Sequence, residues 1–345
     1  MNYINQLTSL RFVLAFWVLL HHYSVRNTNF EYSIISFGYV AVDFFFVLSG
    51  FVIARSYSYR HGFKFSTFIK KRFARVYPLH ILFLVLYVLL YFFAELYIGG
   101  VKHPEKYNFE SIWSNVFLVH AWGFENNLYF NFPSWSVSSE WFAYCFIFPL
   151  WIALSKRGLL FCFLMSILII LLCNFLTLIL LNRELTRLTF DYSILRIIPE
   201  FFVGCFSYYS LFFLGGFGQR FLKLLCFFSL LSISYILSLD VNWHFLIIFF
   251  IGVFISSFSC INSGLVNSFF TNRYFVILGE SSYSLYMMHM FFYSVYFNGL
   301  DFIFGSSDWT MIFWYVGVLL VVLFSVVLHR YLEIPLSKLL YKVIK

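Results

Sequence analysis

The chain has 345 residues, of which 62% are hydrophobic, 25% are aromatic and only 11% are charged. This composition exceeds what the core of a soluble domain requires and predicts a polytopic membrane protein. Its long unbroken apolar stretches favour transmembrane helices over a β-barrel, whose strands alternate in polarity. The net charge of +8 is explained by cytoplasmic loops beside anionic lipid head groups, so we expect no nucleic acid partner.

Ten apolar windows are long enough to cross a bilayer, and we predict an all-α transmembrane bundle of about ten spans. The windows are 6–24, 34–53, 78–98, 136–154, 159–181, 194–214, 222–239, 243–261, 275–298 and 310–330. No internal repeat or polar linker divides the chain, so residues 1–345 are predicted to form a single membrane domain. The six cysteines lie in predicted spans without paired spacing, which indicates neither a disulfide framework nor a metal site.

The connection between the second and third windows is basic and contains no acidic residue. Its cations are Arg55, Arg60, Lys64, Lys70, Lys71, Arg72 and Arg75. Short loops rich in Lys and Arg stay on the cytoplasmic side, which predicts that both termini are cytoplasmic. The longest predicted exterior connection spans about 99–134, and we expect part of a binding site there because long loops often cover or form one.

The first window places Arg11 and His22 in an otherwise apolar run. Eleven helical steps of about 100° make roughly three turns, so both side chains share one face, ~16 Å apart along the axis. His21 points about 100° away from this stripe. A cation and an imidazole inside a membrane helix cost several kcal/mol unless they face protein or water. We therefore predict that Arg11 and His22 are functional.

The second window contains Asp43 and the small pair Ser49 and Gly50 among aromatic residues. A carboxylate at membrane depth usually has a partner, and His22 or His21 at the end of the first helix is the candidate. The small pair permits close approach either of a neighbouring helix or of a ligand, and helix packing is the commoner use.

The third window is preceded by Arg72 and Arg75, three residues apart. On a helix, two guanidinium groups at this spacing lie side by side and suit phosphate oxygens. The alternative is an ordinary positive-inside anchor, which is the interpretation we prefer for Lys70 and Lys71.

Four later segments place polar residues where lipid would not tolerate them. They are 133–141, 196–204, 279–289 and 331–336. Each segment alone is explained by a helix cap or by an intrahelical pair, such as Arg196 with Glu200 at i, i+4. His289 alone is explained as a buried histidine whose hydrogen bonds are satisfied within the bundle. Together with Arg11 and His22, these segments predict a polar cavity inside the bundle.

In these motifs and their order, the chain resembles the acyltransferase 3 family of integral membrane acyltransferases, from residue 7 to about 337. The motifs are Arg11 with His22, Phe45-Phe46 with Ser49-Gly50, Arg72 and Arg75 before Tyr77-Pro78, Trp135 to Glu140, Pro199-Glu200-Phe201 with Gly204, Ser282 to Tyr286 with His289, and Glu333 with Pro335. The resemblance implies transfer of an acyl group, usually acetyl from acetyl-CoA, to a hydroxyl of a cell-surface or lipid-linked saccharide. It also implies a multi-pass protein of the bacterial inner membrane.

The resemblance further implies roles for the predicted site residues. The donor would be held by Arg11, Ser49, Gly50, Arg72 and Arg75. His22 would be the general base on the acceptor hydroxyl, which its reference pKa of about 6.5 permits, with Asp43 orienting the imidazole. The acceptor would be contacted by Trp135, Ser136, Glu140 and Glu200.

Two alternatives stay open at this point. A covalent acyl-histidine, formed and passed on in two steps, would use the same residues. A transporter or flippase of a polar or lipid-linked saccharide would also line a pathway with buried charges, although we find no inverted repeat of the kind such proteins carry. A membrane scaffold would not need Arg11 and His22 on one stripe.

Overall fold

The computed structural model describes residues 4–26, 34–57, 63–239, 243–305 and 311–345. Arg60 of the basic connection lies outside these ranges. Within them the chain forms helices and connecting turns without any β-strand, which confirms the predicted all-α fold. Seven helical segments in these ranges are long and apolar enough to cross a membrane: Ile34–Tyr57, Phe65–Tyr97, Phe132–Arg157, Leu159–Leu181, Ser193–Leu214, Gln219–Ser238 and Met311–Ile344.

The helices follow one another in chain order, and the longest connection between two of them runs from Val116 to Trp135. They are α1 (Asn5–Tyr23), α2 (Ala41–Tyr57), α3 (Phe65–Tyr97), α4 (Ile112–Val116), α5 (Trp135–Phe142), α6 (Phe148–Leu154), α7 (Leu159–Leu181), α8 (Ser193–Tyr209), α9 (Leu211–Leu214), α10 (Gln219–Ser238), α11 (Ile247–Ser259), α12 (Leu265–Phe270), α13 (Arg273–Glu280), α14 (Ser282–Phe304), α15 (Met311–Leu328) and α16 (Ile334–Ile344). A 3₁₀ turn, Ile34–Val40, leads into α2, and π-turns at Ala143–Ile147 and His329–Glu333 join α5 to α6 and α15 to α16.

All ten predicted windows overlap helices of the structure. The three windows outside the seven long segments correspond to α1, to α11 and to the pair α13 and α14. The last of these windows is interrupted, because α13 ends at Glu280 and α14 begins at Ser282. The count of ten spans and the cytoplasmic location of the termini stay predictions.

The helix α3 begins earlier than the sequence indicated. It starts at Phe65 and runs through Pro78, so the predicted boundary at residue 78 was wrong. A proline inside a helix removes one backbone hydrogen bond, but the neighbouring turns of α3 continue to Tyr97. Because Arg72 and Arg75 are both helical, their side chains lie on one side of α3, as their spacing predicted.

The helices α2 and α8 make the most extensive helix contact of the described residues. A Cβ added at Gly50 of α2 or at Gly204 of α8 would overlap a backbone carbonyl oxygen of the other helix. Gly279 of α13 meets the backbone of Thr8 in α1 in the same way. Small residues at such contacts let two backbones touch. Gly50 thus packs α2 against α8, the commoner of the two predicted uses, and it is not among the lining residues of the neighbouring cavity described below; its role in donor binding stays a prediction.

The connection between α3 and α5 is fastened to the bundle by hydrogen bonds and stacked rings. The Nε2 atom of His80 in α3 lies 2.7 Å from the carbonyl oxygen of Asn115, and the His80 ring is parallel to that of His120, with centroids 5.7 Å apart. The Trp122 indole donates to the carbonyl oxygen of Ser138 over 3.0 Å. The end of this connection, at Phe132, reaches the cavity described next.

Candidate active site

Two cavities follow one another along α1. The arginine cavity has a volume of about 150 Å³, and its polar lining residues are Arg11, Ser49, Arg72, Arg75, Ser136, Glu140, Tyr144, Ser282, Tyr283 and Tyr286. The histidine cavity has a volume of about 210 Å³, and its lining includes His21, His22, Tyr39, Phe132, Trp135, Thr186, Arg187, Arg196 and Tyr286. Each volume exceeds the ~30 Å³ that a water molecule occupies several times over.

A thin wall separates the two cavities. Val42 and Tyr286 line both of them, and Ser136 donates a hydrogen bond of 2.8 Å to the Tyr286 hydroxyl. The ring of Phe45 packs edge-on against Tyr286, with centroids 5.9 Å apart. The sequence predicted a polar cavity inside the bundle without indicating a division. The structure instead gives two, with a pair of hydroxyl groups between them.

The arginine cavity is strongly cationic. Arg11 reaches it from α1, and Arg72 and Arg75 reach it from α3. Glu140 is the one carboxylate among its described lining residues, and it lies within hydrogen-bonding range of the hydroxyls of Ser49 and Tyr144. Even after Glu140 and the Glu333 carboxylate that pairs with Arg75 are counted against the three guanidinium groups, an excess of positive charge remains, which favours an anionic ligand with several oxygen atoms.

Arg75 is held in place by a second carboxylate behind the cavity. It forms an ion pair with Glu333 of the π-turn after α15. The other oxygen of Glu333 accepts a hydrogen bond of 2.5 Å from Ser284 and one of 2.8 Å from the His329 ring. Glu333 is only 1% exposed. The motif that ends the last predicted span therefore positions a cavity arginine.

In the histidine cavity, His22 is hydrogen-bonded to a second histidine. Its Nδ1 lies 3.0 Å from Nε2 of His289 in α14, whose Nδ1 donates to the Tyr286 carbonyl over 2.7 Å. The ring of Phe132 stands at 88° to that of His22. His289 is thus a satisfied bundle histidine, as the simpler interpretation held, but one of its partners is His22. His21 lines the same cavity, and its Nδ1 lies 3.1 Å from the Ile35 carbonyl oxygen.

The structure corrects two predictions about carboxylates. Asp43 contacts Arg196 of α8 rather than His22, with its Oδ1 atom 3.0 Å from Nε and 2.9 Å from Nη2 of the guanidinium. Glu200 lies 3.4 Å from the same guanidinium and lines neither cavity. All three side chains are at most 2% exposed. The reason is the close contact of α2 with α8, which brings Asp43 to Arg196.

The predicted acceptor residues are divided between the cavities. Trp135 lines the histidine cavity, while Ser136 and Glu140 line the arginine cavity. Five residues of α-helix rise about 7.5 Å, so α5 passes from one cavity to the other. Arg196 lies under the Trp135 ring, 5.4 Å from its centroid, and so supports the wall of the histidine cavity.

The model of the acyltransferase domain Acyl_transf_3 matches residues 4–330. The chain belongs to the acyltransferase 3 family. It is also similar to acyltransferase MdmB of Streptomyces mycarofaciens, with 38% identity over 131 residues, which are 36% of this chain and 31% of the relative. Protein 2 in the picA locus of Rhizobium radiobacter is 45% identical over 69 residues, which are 19% of this chain and 35% of the relative.

The matched regions span about a third of each curated relative. No solved structure matches the chain. The family match covers nearly every helix that lines the two cavities, and it confirms the resemblance inferred from the motifs. In this acyltransferase 3 protein the motifs come together from distant parts of the chain: α1, α2, α3, α5 and α14 all contribute to the arginine cavity.

Several residues of the histidine cavity were not among the predicted site residues, and Tyr39, Thr186 and Arg187 are the polar ones discussed next. Thr186 and Arg187 belong to a 3₁₀ turn, Leu185–Arg187, before α8. The Arg187 guanidinium lies 3.9 Å from the centroid of the Tyr39 ring. The buried hydroxyls of Thr186 and Tyr39 have no hydrogen-bond partner in the part of the chain that the structure describes. The available signal was the polar run of residues 182–191 directly before a motif helix.

Proposed function

We propose that this protein is a membrane acyltransferase that moves an acyl group from an acyl-CoA thioester, acetyl-CoA in the simplest case, to a hydroxyl of a saccharide or glycolipid. The single observation that carries the proposal is the pair of cavities. One is lined by three guanidinium groups, the other contains an imidazole and aromatic rings, and Tyr286 lines both. The bacterial inner membrane is the proposed location.

The arginine cavity supports an acyl-CoA donor. The CoA portion carries several phosphate groups, and a guanidinium offers paired N–H donors to phosphate oxygens. Arg72 is the best placed to meet the ligand directly, because its buried Nε has no hydrogen-bond partner among the described residues. Arg75 keeps its ion pair with Glu333, which neutralises much of its charge, so we expect Arg75 to contribute less to donor binding than Arg72.

The histidine cavity supports a saccharide acceptor. Trp135, Tyr39 and Phe132 provide aromatic faces, and such walls with a few placed polar groups are typical of small-molecule sites. The unpartnered hydroxyls of Thr186 and Tyr39 are available to the hydroxyl groups of a sugar. An acceptor in this position places a hydroxyl beside His22.

The proposed reaction is direct acyl transfer. His22 takes the proton of the acceptor hydroxyl, whose oxygen attacks the thioester carbonyl while the carbon–sulfur bond breaks. The proton then passes from His22 to the departing CoA thiolate, so no net charge is left on the protein. The thioester reaches His22 past the Ser136 and Tyr286 hydroxyls, which separate the two cavities.

The test is deletion of the gene in its own host, followed by mass spectrometry of the surface glycans. Complementation uses wild type, His22→Ala and, as a matched neighbour, His21→Ala. We expect an acyl-sized increment to disappear on deletion, to return with wild type and His21→Ala, and to stay absent with His22→Ala. An unchanged glycan mass with a saccharide accumulating inside the cell would instead support the flippase alternative. Activity of His22→Ala beside an inactive His21→Ala would overturn the choice of base.

A further inference from the structure

A chain of two hydrogen bonds runs from a backbone carbonyl of α14 to the imidazole of His22. The Tyr286 carbonyl lies 2.7 Å from His289 Nδ1, and His289 Nε2 lies 3.0 Å from His22 Nδ1. His289 is 1% exposed. Both nitrogens of this ring are therefore committed to protein partners.

The hydrogen bond to the Tyr286 carbonyl decides where the hydrogens lie on both imidazole rings. A backbone carbonyl can only accept a hydrogen bond, so His289 Nδ1 must carry the hydrogen. In the neutral ring the other nitrogen, Nε2, is then an acceptor. His22 must donate to it through its own Nδ1–H, because two lone pairs facing each other make no hydrogen bond. The Nε2 atom of neutral His22 is left without a hydrogen.

From this we infer that His289 is a positioning residue, which fixes His22 in the Nδ1–H tautomer and so makes His22 Nε2 the proton acceptor of the reaction. The inference rests on the proposed function. Which ring nitrogen of a histidine is protonated follows from the hydrogen bond that the other nitrogen makes. The hydrogen bond from His22 to His289 uses Nδ1, and the ring lines the histidine cavity, so Nε2 is the nitrogen left to face a substrate there.

The backbone around the pair is fixed as well. Tyr23, the residue after His22, donates from its hydroxyl to the carbonyl oxygen of His289 over 2.9 Å. The Trp314 indole donates to the Tyr23 carbonyl over 3.0 Å. Two consecutive residues of α1 thus bind the same residue of α14. The separation of the two rings is consequently set by several contacts rather than by their mutual hydrogen bond alone.

His289 orients His22 while it is itself uncharged. In a triad with a carboxylate, the carboxylate both orients the base and stabilises the imidazolium that forms. Here Asp43, the carboxylate predicted to orient the imidazole, is bound to Arg196. A neutral imidazole accepts the His22 Nδ1–H before and after His22 takes a proton, and it neither gains nor loses a proton itself.

Two substitutions separate this role from simple packing. His289→Gln keeps an acceptor, because the glutamine amide oxygen comes close to the position of Nε2. His289→Leu fills similar space and removes the acceptor. We expect His289→Leu to lower kcat about 100-fold, the lower end of what a positioned general base contributes, with the KM for acetyl-CoA unchanged. His289→Gln should keep kcat within a few-fold of wild type.

The tautomer itself is measured by ¹⁵N NMR of histidine-labelled protein in lipid, with the His22→Ala spectrum subtracted to assign the signals. We expect a protonated Nδ1 and an unprotonated Nε2 in wild type, and loss of this pattern in His289→Leu. Wild-type protein with His22 protonated at Nε2 overturns the inference even if both variants fail to fold. A His289→Gln variant that is folded but as inactive as His289→Leu also overturns the inference. Wild-type protein that transfers no acyl group would reject the proposed function itself, and activity in His22→Ala would reject His22 as the base. An inactive His22→Ala beside a fully active His289→Leu would reject only the role of His289.

Discussion

Replacing Arg196 by methionine removes the cation from a buried cluster that holds two carboxylates. Asp43 and Glu200 are both 0% exposed, and Arg196 also donates to the Leu188 carbonyl over 3.0 Å. Breaking a buried ion pair by removing one partner costs about 3–5 kcal/mol, since the other charge stays buried without compensation. We therefore expect Arg196→Met to lower the free energy of unfolding by at least ~3 kcal/mol.

The same charge balance predicts that stability is partly recovered when the two carboxylates are also neutralised. Replacing Asp43 by Asn and Glu200 by Gln in the Arg196→Met background removes the uncompensated charges. Because replacing a whole buried ionic group by neutral residues is often close to neutral in stability, the triple variant should recover more than half of the loss. The three substitutions would then be strongly non-additive, as expected for side chains in direct contact.

Unfolding in mixed micelles of increasing SDS fraction, followed by tryptophan fluorescence, measures these differences. Arg157→Met is the control, because Arg157 lies exposed in the turn after α6 and surface substitutions usually stay within about 0.5 kcal/mol. If Arg196→Met unfolds at the same SDS fraction as this control, or if the triple variant is less stable than the single one, the assignment of Arg196 as the compensating cation is refuted.

Three further predictions concern the cavity wall, the helix contact and acid sensitivity. Trp135→Ala should raise the KM for the acceptor about ten-fold through loss of an aromatic face. The control Trp113→Ala removes a ring that is 69% exposed and should leave this KM unchanged. Equal effects of the two substitutions would contradict the placement of the acceptor. Gly204→Ala should sharply lower the yield of folded protein in size-exclusion chromatography, because its Cβ overlaps the backbone of α2. The control is Gly299→Ala, whose added Cβ would have no atom within 4 Å and which should be neutral or stabilising by up to about 1 kcal/mol. Equal yields of the two variants would contradict the close contact between α2 and α8. Burial, and next the neighbouring ring of His80, lower the pKa of His120 to about 3 from its ordinary 6.5. The stability that neutral His120 contributes is thus complete above pH ~6.5 and is lost as the pH falls toward 3, by up to ~1.4 kcal/mol per pH unit. The free energy of unfolding of His120→Gln should therefore fall less steeply with decreasing pH over this range. The same pH slope in wild type and variant would contradict the burial of His120.

Much of the arginine cavity could be predicted from spacing alone. Arg72 and Arg75 are three residues apart on one helix, and Arg11 is one of the few cations inside an apolar window, so local geometry pointed to them. The partners of these residues could not be predicted in the same way. Glu333 binds Arg75 across 258 positions of the chain, a separation about which helical periodicity contains no information.

The error over Asp43 has the same physical origin. Helices adjacent in sequence often pack together, which made His22 the expected partner of a carboxylate in the second window. The structure places α14 against α1 and α8 against α2, so His22 meets His289 from 267 positions away. Nothing in the hydropathy of α14 distinguishes a histidine that faces α1 from one that faces another helix.

Backbone contacts at Gly50, Gly204 and Gly279 leave the helices around the cavities little freedom to shift. Where one main chain touches another, sliding or tilting produces immediate collision, and packed interiors resist continuous deformation. Rocking of one half of a bundle against the other, the motion by which many transporters expose a site to alternate sides, is therefore disfavoured in this framework. If the proposed function is correct, an acyl group that crosses from one cavity to the other passes the Tyr286 and Ser136 side chains, and we expect the space beside them to limit the size of that group.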